Sequence, residues 1–330
     1  MRIKVLGAGS WGTALALLLH NNGHNVSVWN WDEKHTAQML ADRENKAYLP
    51  GVPLPSDMSI SSDLSELTEA EMILFVVPSH ALNDVAAQAK QYIKPQTIII
   101  SAAKGFHSEG QLRLSQVIAQ YLPHNPLAVL SGPTHAEEVG RALPTAIVLA
   151  GKDNDMLLKV QDIFMNNKFR VYTNSDIIGV EIGGAVKNVI ALGAGIIEGL
   201  GLGDNSKAAL ITRGLAEIIR LGEAMGAKKE TFSGLAGLGD LVVTAGSRHS
   251  RNFRAGTLIG QGNPWKEVLQ QIGMVVEGVY STENTYKLAQ KYQVEMPITE
   301  QMYAILYEDK SPEEAMWALL TRSKKDEIKK

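Results

Sequence analysis

Gly7-Ala8-Gly9-Ser10-Trp11-Gly12 stands directly after the short, mostly apolar run at residues 3–6 and directly before Thr-Ala-Leu-Ala-Leu-Leu-Leu-His at 13–20. The run reads as a short strand and residues 13–20 as a helix, ended by Asn21-Asn22-Gly23; Asn25–Trp29 supplies a second strand. Strand, Gly-x-Gly-x-x-Gly, helix, strand is the arrangement that binds a dinucleotide. Gly7 allows the tight turn, Gly9 lets the backbone approach a pyrophosphate, and Gly12 lets helix and strand pack closely. The pyrophosphate then rests on the helix N-terminus, where unpaired N–H groups and the helix dipole favour an anion.

The alternation continues outward from this unit. Residues 72–77, an apolar run, and 97–100, 127–130, 146–149 and 170–172 read as further strands, with a helix opening at Ser79-His80. In an open parallel sheet, ligands bind beyond the carboxyl ends of the strands. Three such ends, Val77-Pro78-Ser79, Ala103-Lys104-Gly105 and Gly132-Pro133-Thr134, therefore point to one crevice, with Lys104 either a ligand contact or a solvated loop lysine. The specificity position is open. Asp32, 20 residues after Gly12, suits a ribose 2′-hydroxyl and NAD, yet Lys34 and His35 follow and suit a 2′-phosphate, and Trp31 suits stacking on adenine. An ordinary loop is the alternative for all four.

Residues 176–199 contain the run Ile-Gly-Gly-Ala-Val-Lys-Asn-Val-Ile-Ala-Leu-Gly-Ala-Gly-Ile-Ile at 182–197, in which Lys187 is the only charge. The run is too long for a strand and short of the roughly 20 residues a bilayer needs, so it reads as a buried helix. An ammonium there must be paired or give up its proton, which lowers its pKa. Lys187 is either a structural lysine snorkelling from a core helix or an acid/base group on the floor of a cleft. Beyond Gly199 the strand pattern stops and helical patterns follow at 208–225, 253–259, 266–272, 282–292, 299–307 and 312–320, before a charged, frayed tail at 322–330. The expected fold is α/β: a Rossmann-type doubly wound sheet over residues 1–178, then an all-helical domain over 179–330.

Two loops of the second domain carry polar groups a core does not need. In Gly237-Leu238-Gly239-Asp240-Leu241 the carboxylate either caps the next helix or fixes the protonation and position of Lys187. Ser-Arg-His-Ser-Arg-Asn-Phe-Arg at 247–254 opens a helix, and hydroxyl, guanidinium, amide and helix N-terminus together make a phosphate site; a solvated basic turn is the alternative. Glu277, after Val275-Val276, is a first-turn acid or a cofactor contact.

Composition limits the function classes. With 330 residues the chain holds two domains, and its net charge of −3 offers no general attraction for nucleic acid or anionic lipid. Zero cysteines excludes disulfides, thiolate catalysis and cysteine-ligated metal, and it fits a reducing cytoplasm. The opening Met-Arg-Ile-Lys-Val-Leu-Gly lacks the apolar core of a signal peptide, and no span reads as a membrane insertion. No His/Asp/Glu set has metal-ligand spacing, so no metal is expected.

Taken together, the glycine motif with Thr13-Ala14, Val77-Pro78-Ser79, Ala103-Lys104-Gly105, Ser131-Gly132-Pro133-Thr134, Gly184-Ala185-Val186-Lys187-Asn188, Gly234-Leu235-Ala236-Gly237-Leu238-Gly239-Asp240-Leu241, Ser250-Arg251-Asn252 and Val276-Glu277-Gly278 resemble the soluble NAD(P)-linked glycerol-3-phosphate dehydrogenases over essentially the whole length. The resemblance implies reversible reduction of dihydroxyacetone phosphate to sn-glycerol 3-phosphate, the step supplying the phospholipid backbone. It implies Lys187 as proton donor and acceptor, with Lys104, Gly132, Thr134, Asp240, Ser250, Arg251 and Asn252 holding the phosphorylated substrate. It implies NAD or NADP against Gly7, Gly9, Ser10, Trp11, Gly12, Trp31, Lys104, Ala136, Arg251, Val275 and Glu277, in a homodimer. Trp31-Asp32 is acidic where some members carry arginine. The chemistry agrees, since a carbonyl receiving a hydride becomes an alkoxide that needs a proton and a positive charge, and a desolvated lysine offers both. Two rivals remain. A 3-hydroxyacid or 6-phosphogluconate dehydrogenase also joins such a domain to a lysine-bearing helix, and a dinucleotide sensor without turnover would have no use for a buried proton donor.

Overall fold

The computed structural model describes residues 1–324 and 326–327. Lys325 and residues 328–330, part of the tail read as frayed, lie outside the described residues.

The first domain runs β1 (Arg2–Leu6), α1 (Ser10–Asn21), β2 (Asn25–Trp29), α2 (Glu33–Asp42), β3 (Ser59–Ser61), β4 (Met72–Phe75), α3 (Leu82–Ala89), β5 (Ile98–Ser101), a small antiparallel pair β6 (Phe106–His107) and β7 (Leu112–Arg113), α4 (Leu114–Tyr121), β8 (Leu127–Ser131), α5 (Ala136–Gly140), β9 (Thr145–Gly151), α6 (Asn154–Phe164) and β10 (Phe169–Asn174). Eight strands form one sheet in the order β10-β9-β8-β5-β4-β1-β2-β3. Every residue of β4 and β5 is buried, because helices cover both faces. Alternate residues feed different cores: Leu74, Ile98 and Ile100 join one cluster, and Ile73, Phe75 and Ile99 the other.

The sheet is not parallel throughout. β9 runs antiparallel to β8, pairing Ala128 with Gly151, and β10 lies parallel to β9, so these two strands are reversed relative to the other six. Between β8 and β9 the chain makes only the five-residue α5 and turns back instead of crossing over. The carboxyl ends that lie along one edge of the sheet are therefore those of β1, β2, β3, β4, β5 and β8.

The second domain is built on α7 (Ile177–Gly199), followed by α8 (Gly203–Ala224), a π-helical turn at Leu235–Gly239, α9 (Asp240–Gly246), α10 (Arg251–Gly260), α11 (Trp265–Ile272), α12 (Glu277–Tyr292), α13 (Pro297–Tyr307) and α14 (Pro312–Leu320). Asp176 caps α7 by accepting from the Gly179 amide at 2.9 Å, and it also accepts from the Lys228 amide and the Thr231 hydroxyl. By length and composition α7 could cross a membrane, yet 89% of its most apolar window is buried inside the fold. Its glycines serve packing: a Cβ on Gly195 would stand 2.1 Å from the Phe253 carbonyl oxygen, and one on Gly256 2.0 Å from that of Leu192. α7 and α10 thus cross backbone to backbone, which sets the loop before α10 beside the helix that carries Lys187.

Candidate active site

Lys187 sits mid-way along α7 with 5% of its surface exposed, and Asp240 has none. Lys187 Nζ donates to Asp240 Oδ1 at 2.5 Å and to Thr244 Oγ1 at 2.6 Å. Lys104, at the end of β5, donates to the other carboxylate oxygen at 2.7 Å and to the Gly132 carbonyl at 2.9 Å. One buried carboxylate thus joins a lysine from each domain. Asp240 is the first residue of α9 but makes no capping bond; the π-helical turn before it swings the carboxylate inward instead. With both lysines protonated, two ammonium groups share one carboxylate and the cluster carries net positive charge.

Burial lowers the Lys187 pKa from 10.5 to about 7; the Asp240 carboxylate opposes that shift and the Lys104 ammonium adds to it. An ammonium has three protons. Asp240 and Thr244 take two of the three, and the third is free to be given away. Thr244 had no place in the sequence reading. Its signal was available, since it lies four residues after Asp240, on the same helical face, and its hydroxyl donates to the Asp240 carbonyl at 2.6 Å.

The residues read as dinucleotide contacts follow β1, β2, β5 and β8 in the chain and stand at the starts of α10 and α12. Gly7 has φ +121°, and a Cβ on Gly12 would stand 1.9 Å from the Gly7 carbonyl oxygen, so both positions require glycine. Beside Gly9 there is open space. Ser10 and Trp11 form the first turn of α1, which has no side-chain cap and no acidic residue in that turn, and the buried Trp11 Nε1 has no partner among the described residues. These features fit a dinucleotide pyrophosphate, with the α1 amides as donors. Ala136 starts α5 and is buried; Val275 precedes α12. Glu277 opens α12 and accepts from the Ser79 amide at 3.2 Å and its hydroxyl at 2.8 Å, closing a bridge from the helical domain to the end of β4. Burial raises the Glu277 pKa, against the two Ser79 bonds. Trp31, two residues past the end of β2, is 79% exposed. Asp32 caps α2, its Oδ1 accepting from the Lys34 and His35 amides.

The structure separates the three residues read as a joint phosphate site. Ser250 caps α10, accepting from the Phe253 amide at 3.2 Å, which leaves its O–H free to donate. Asn252 is spent inside the protein: Nδ2 donates to Asn188 Oδ1 at 2.9 Å and Oδ1 accepts from the Gly278 amide at 2.8 Å. It ties α10 to α7 and α12. Arg251 alone has no hydrogen bond or ion pair among the described residues. Burial lowers its pKa, offset by the charges of Glu277 and Glu137. Thr134 donates to the Gly132 carbonyl at 3.1 Å, next to Lys104. His135, between Thr134 and Ala136, also escaped the sequence reading; its pKa is lowered by burial and by Lys187, and its ring stands 5.6 Å from that of His249. Among the described residues no cluster of three or more His, Asp or Glu side chains is arranged to hold a metal.

Known proteins with this arrangement are numerous. Residues 2–157 match the family described as NAD-dependent glycerol-3-phosphate dehydrogenase N-terminus, and residues 176–317 match its C-terminus. The chain is 52% identical to a glycerol-3-phosphate dehydrogenase [NAD(P)+] of Desulfitobacterium hafniense, over 99% of this chain and 93% of that protein. It is 50% identical to the enzyme of the same name from Carboxydothermus hydrogenoformans, over 99% and 98%. The crystal structure of glycerol-3-phosphate dehydrogenase from Coxiella burnetii superimposes with a TM-score of 0.95 at 45% identity, covering 97% of this chain and 99% of that one. The two family models match in order, the relatives cover 99% of the chain, and the chain belongs to the NAD-dependent glycerol-3-phosphate dehydrogenase family.

Proposed function

We propose that this protein reversibly reduces dihydroxyacetone phosphate to sn-glycerol 3-phosphate with NADH or NADPH. The observation that carries the reading is the buried Lys187–Asp240–Lys104 chain, together with a buried Arg251 that has no hydrogen bond or ion pair among the described residues. Bound NAD(P)H supplies the hydride equivalent from its nicotinamide ring. Lys187 gives its free proton to the substrate oxygen as that oxygen becomes an alkoxide, while Lys104 holds Asp240 in place and adds positive charge. The neutral amine keeps its two bonds to Asp240 and Thr244, which aim its lone pair at the same oxygen for the reverse reaction. Arg251, with the Ser250 hydroxyl and the α10 N-terminus, takes the phosphate. Nicotinamide absorbance with dihydroxyacetone phosphate, set against unphosphorylated dihydroxyacetone, tests the reading; a 3-hydroxyacid enzyme would act on unphosphorylated substrates. In this reading the domains divide at residues 178 and 179, within the first turn of α7. The protein works as a cytoplasmic homodimer, and its product feeds glycerophospholipid synthesis.

A pH dependence follows from Lys187. Carbonyl reduction needs the ammonium, so kcat for reduction is expected to fall as pH rises through about 7, and kcat for oxidation of glycerol 3-phosphate, which needs the neutral amine, to rise over the same range. Pre-steady-state rates in both directions between roughly pH 5.5 and 9 measure this. Two profiles with the same slope would rule out Lys187 as the exchanging group.

Asp32→Ala is expected to shift the preference toward NADP, because a carboxylate near the 2′-position repels a phosphate. Loss of the α2 cap should cost about 1 kcal/mol of stability in the same variant. The ratio of kcat/KM for the two coenzymes separates the effects; an unchanged ratio with a lowered Tm leaves Asp32 a cap only.

A further inference from the structure

Asn45 lies in the loop after α2 and is fully buried. Nδ2 donates to the Ala8 carbonyl at 2.8 Å and to Thr13 Oγ1 at 2.8 Å, and Oδ1 accepts from His35 Nε2 at 3.1 Å and from the Tyr48 amide at 3.3 Å. A carbonyl only accepts, so the bond to Ala8 fixes which amide atom is the nitrogen. His35 must then donate through Nε2. Its Nδ1 faces Asn30 Nδ2 at 3.2 Å, and that nitrogen is fixed in turn by the Asp32 carbonyl. A continuous chain of bonds therefore runs from the glycine-rich loop to the start of α2.

Ala8 stands between Gly7 and Gly9. Across a trans peptide the carbonyl and the following N–H point in opposite directions, and there is no cis peptide bond among the described residues. Holding the Ala8 carbonyl toward Asn45 turns the Gly9 N–H the other way. That N–H has no acceptor among the described residues, and the space beside Gly9 is open.

We propose that Asn45 is a positioning residue for the dinucleotide. It sets the Ala8–Gly9 peptide so that the Gly9 N–H faces the pyrophosphate, and through His35 and Tyr48 it ties that peptide to the segment that receives the adenosine end. The inference rests on the dinucleotide reading of the crevice.

Asn45→Asp keeps the size but sets a carboxylate oxygen against the Ala8 carbonyl. Titrating Trp11 and Trp31 fluorescence with NADH and NADPH should show dissociation constants about tenfold higher or more. At saturating coenzyme, kcat and the KM for dihydroxyacetone phosphate should stay within about twofold of the parent. Thr13→Val, nearly isosteric, removes one of the two acceptors of Asn45 and should raise the coenzyme constants about threefold. If Asn45→Asp does not fold, Thr13→Val decides by the same criterion. A parent that binds neither dinucleotide overturns the functional reading itself. A parent that binds, with variants that bind equally well, overturns the role of Asn45 alone. So does a matched loss of coenzyme and substrate affinity with a lowered Tm, which marks a residue of the fold.

Discussion

Lys187→Ala is expected to abolish turnover while leaving dinucleotide binding intact. Loss of a positioned acid costs about 10²–10⁴ in rate, and loss of a charge aimed at the developing alkoxide costs about 10²–10³ more. The fold should survive. Asp240, the group left behind, keeps Lys104 at 2.7 Å, so no carboxylate is stranded in the core. Burial works against the ammonium, as its lowered pKa records, so removing it also relieves a cost. Single-turnover reduction with saturating coenzyme measures the chemical step, and fluorescence titration measures binding. The truncation leaves a cavity beside Asp240 and Thr244, and a small primary amine added to the buffer should restore part of the rate. Near-full activity without added amine would make Lys187 a structural lysine and pass the proton to another group.

Much of this site was legible because its chemistry depends on residue types that are unusual in their surroundings. A lone lysine in an apolar helix and a lone aspartate among glycines mark buried charge whatever the fold. Their pairing was not legible: 53 positions separate them, and only the π-helical turn at Leu235–Gly239 turns Asp240 from a cap into a partner. Asn252 shows the opposite limit. Its type and its place at a helix start suit phosphate, yet Asn188 and Gly278 consume both ends of its amide. No local pattern announces such partners.

The sheet divides the same way. β2 was readable to the residue, because period and flanking turns are local. β3 has one apolar residue in three and exists through its pairing with β2, Ser27 against Ser59. The reversal of β9 and β10 was invisible, because a strand's residues carry no mark of its direction. It left the reading of the crevice intact, since the strands that supply Lys104, Gly132 and Thr134 are among the six that share a direction.

Arg251→Ala is expected to raise the KM for dihydroxyacetone phosphate strongly and to lower kcat as well. The structure concentrates the role on this residue: Ser250 caps α10 and offers one O–H, Asn252 is tied to α7 and α12, and Arg251 has no partner among the described residues. A guanidinium bound to phosphate by two parallel bonds contributes about 1.5–3 kcal/mol per charged hydrogen bond, so kcat/KM should fall by about 10²–10⁴. Part of the loss falls on kcat because the phosphate is not the reacting group: its binding energy holds the carbonyl against Lys187 and the nicotinamide. Lysine should rescue only in part, keeping the charge without the fork. The control is unphosphorylated dihydroxyacetone, a very poor substrate for the parent whose rate should barely change in the variant. Inorganic phosphite added with that truncated substrate should activate the parent more than the variant, since only the parent keeps the guanidinium that grips the free anion. A parent that reduces both compounds equally well would remove the phosphate assignment, and a hydroxyacid substrate would then take precedence.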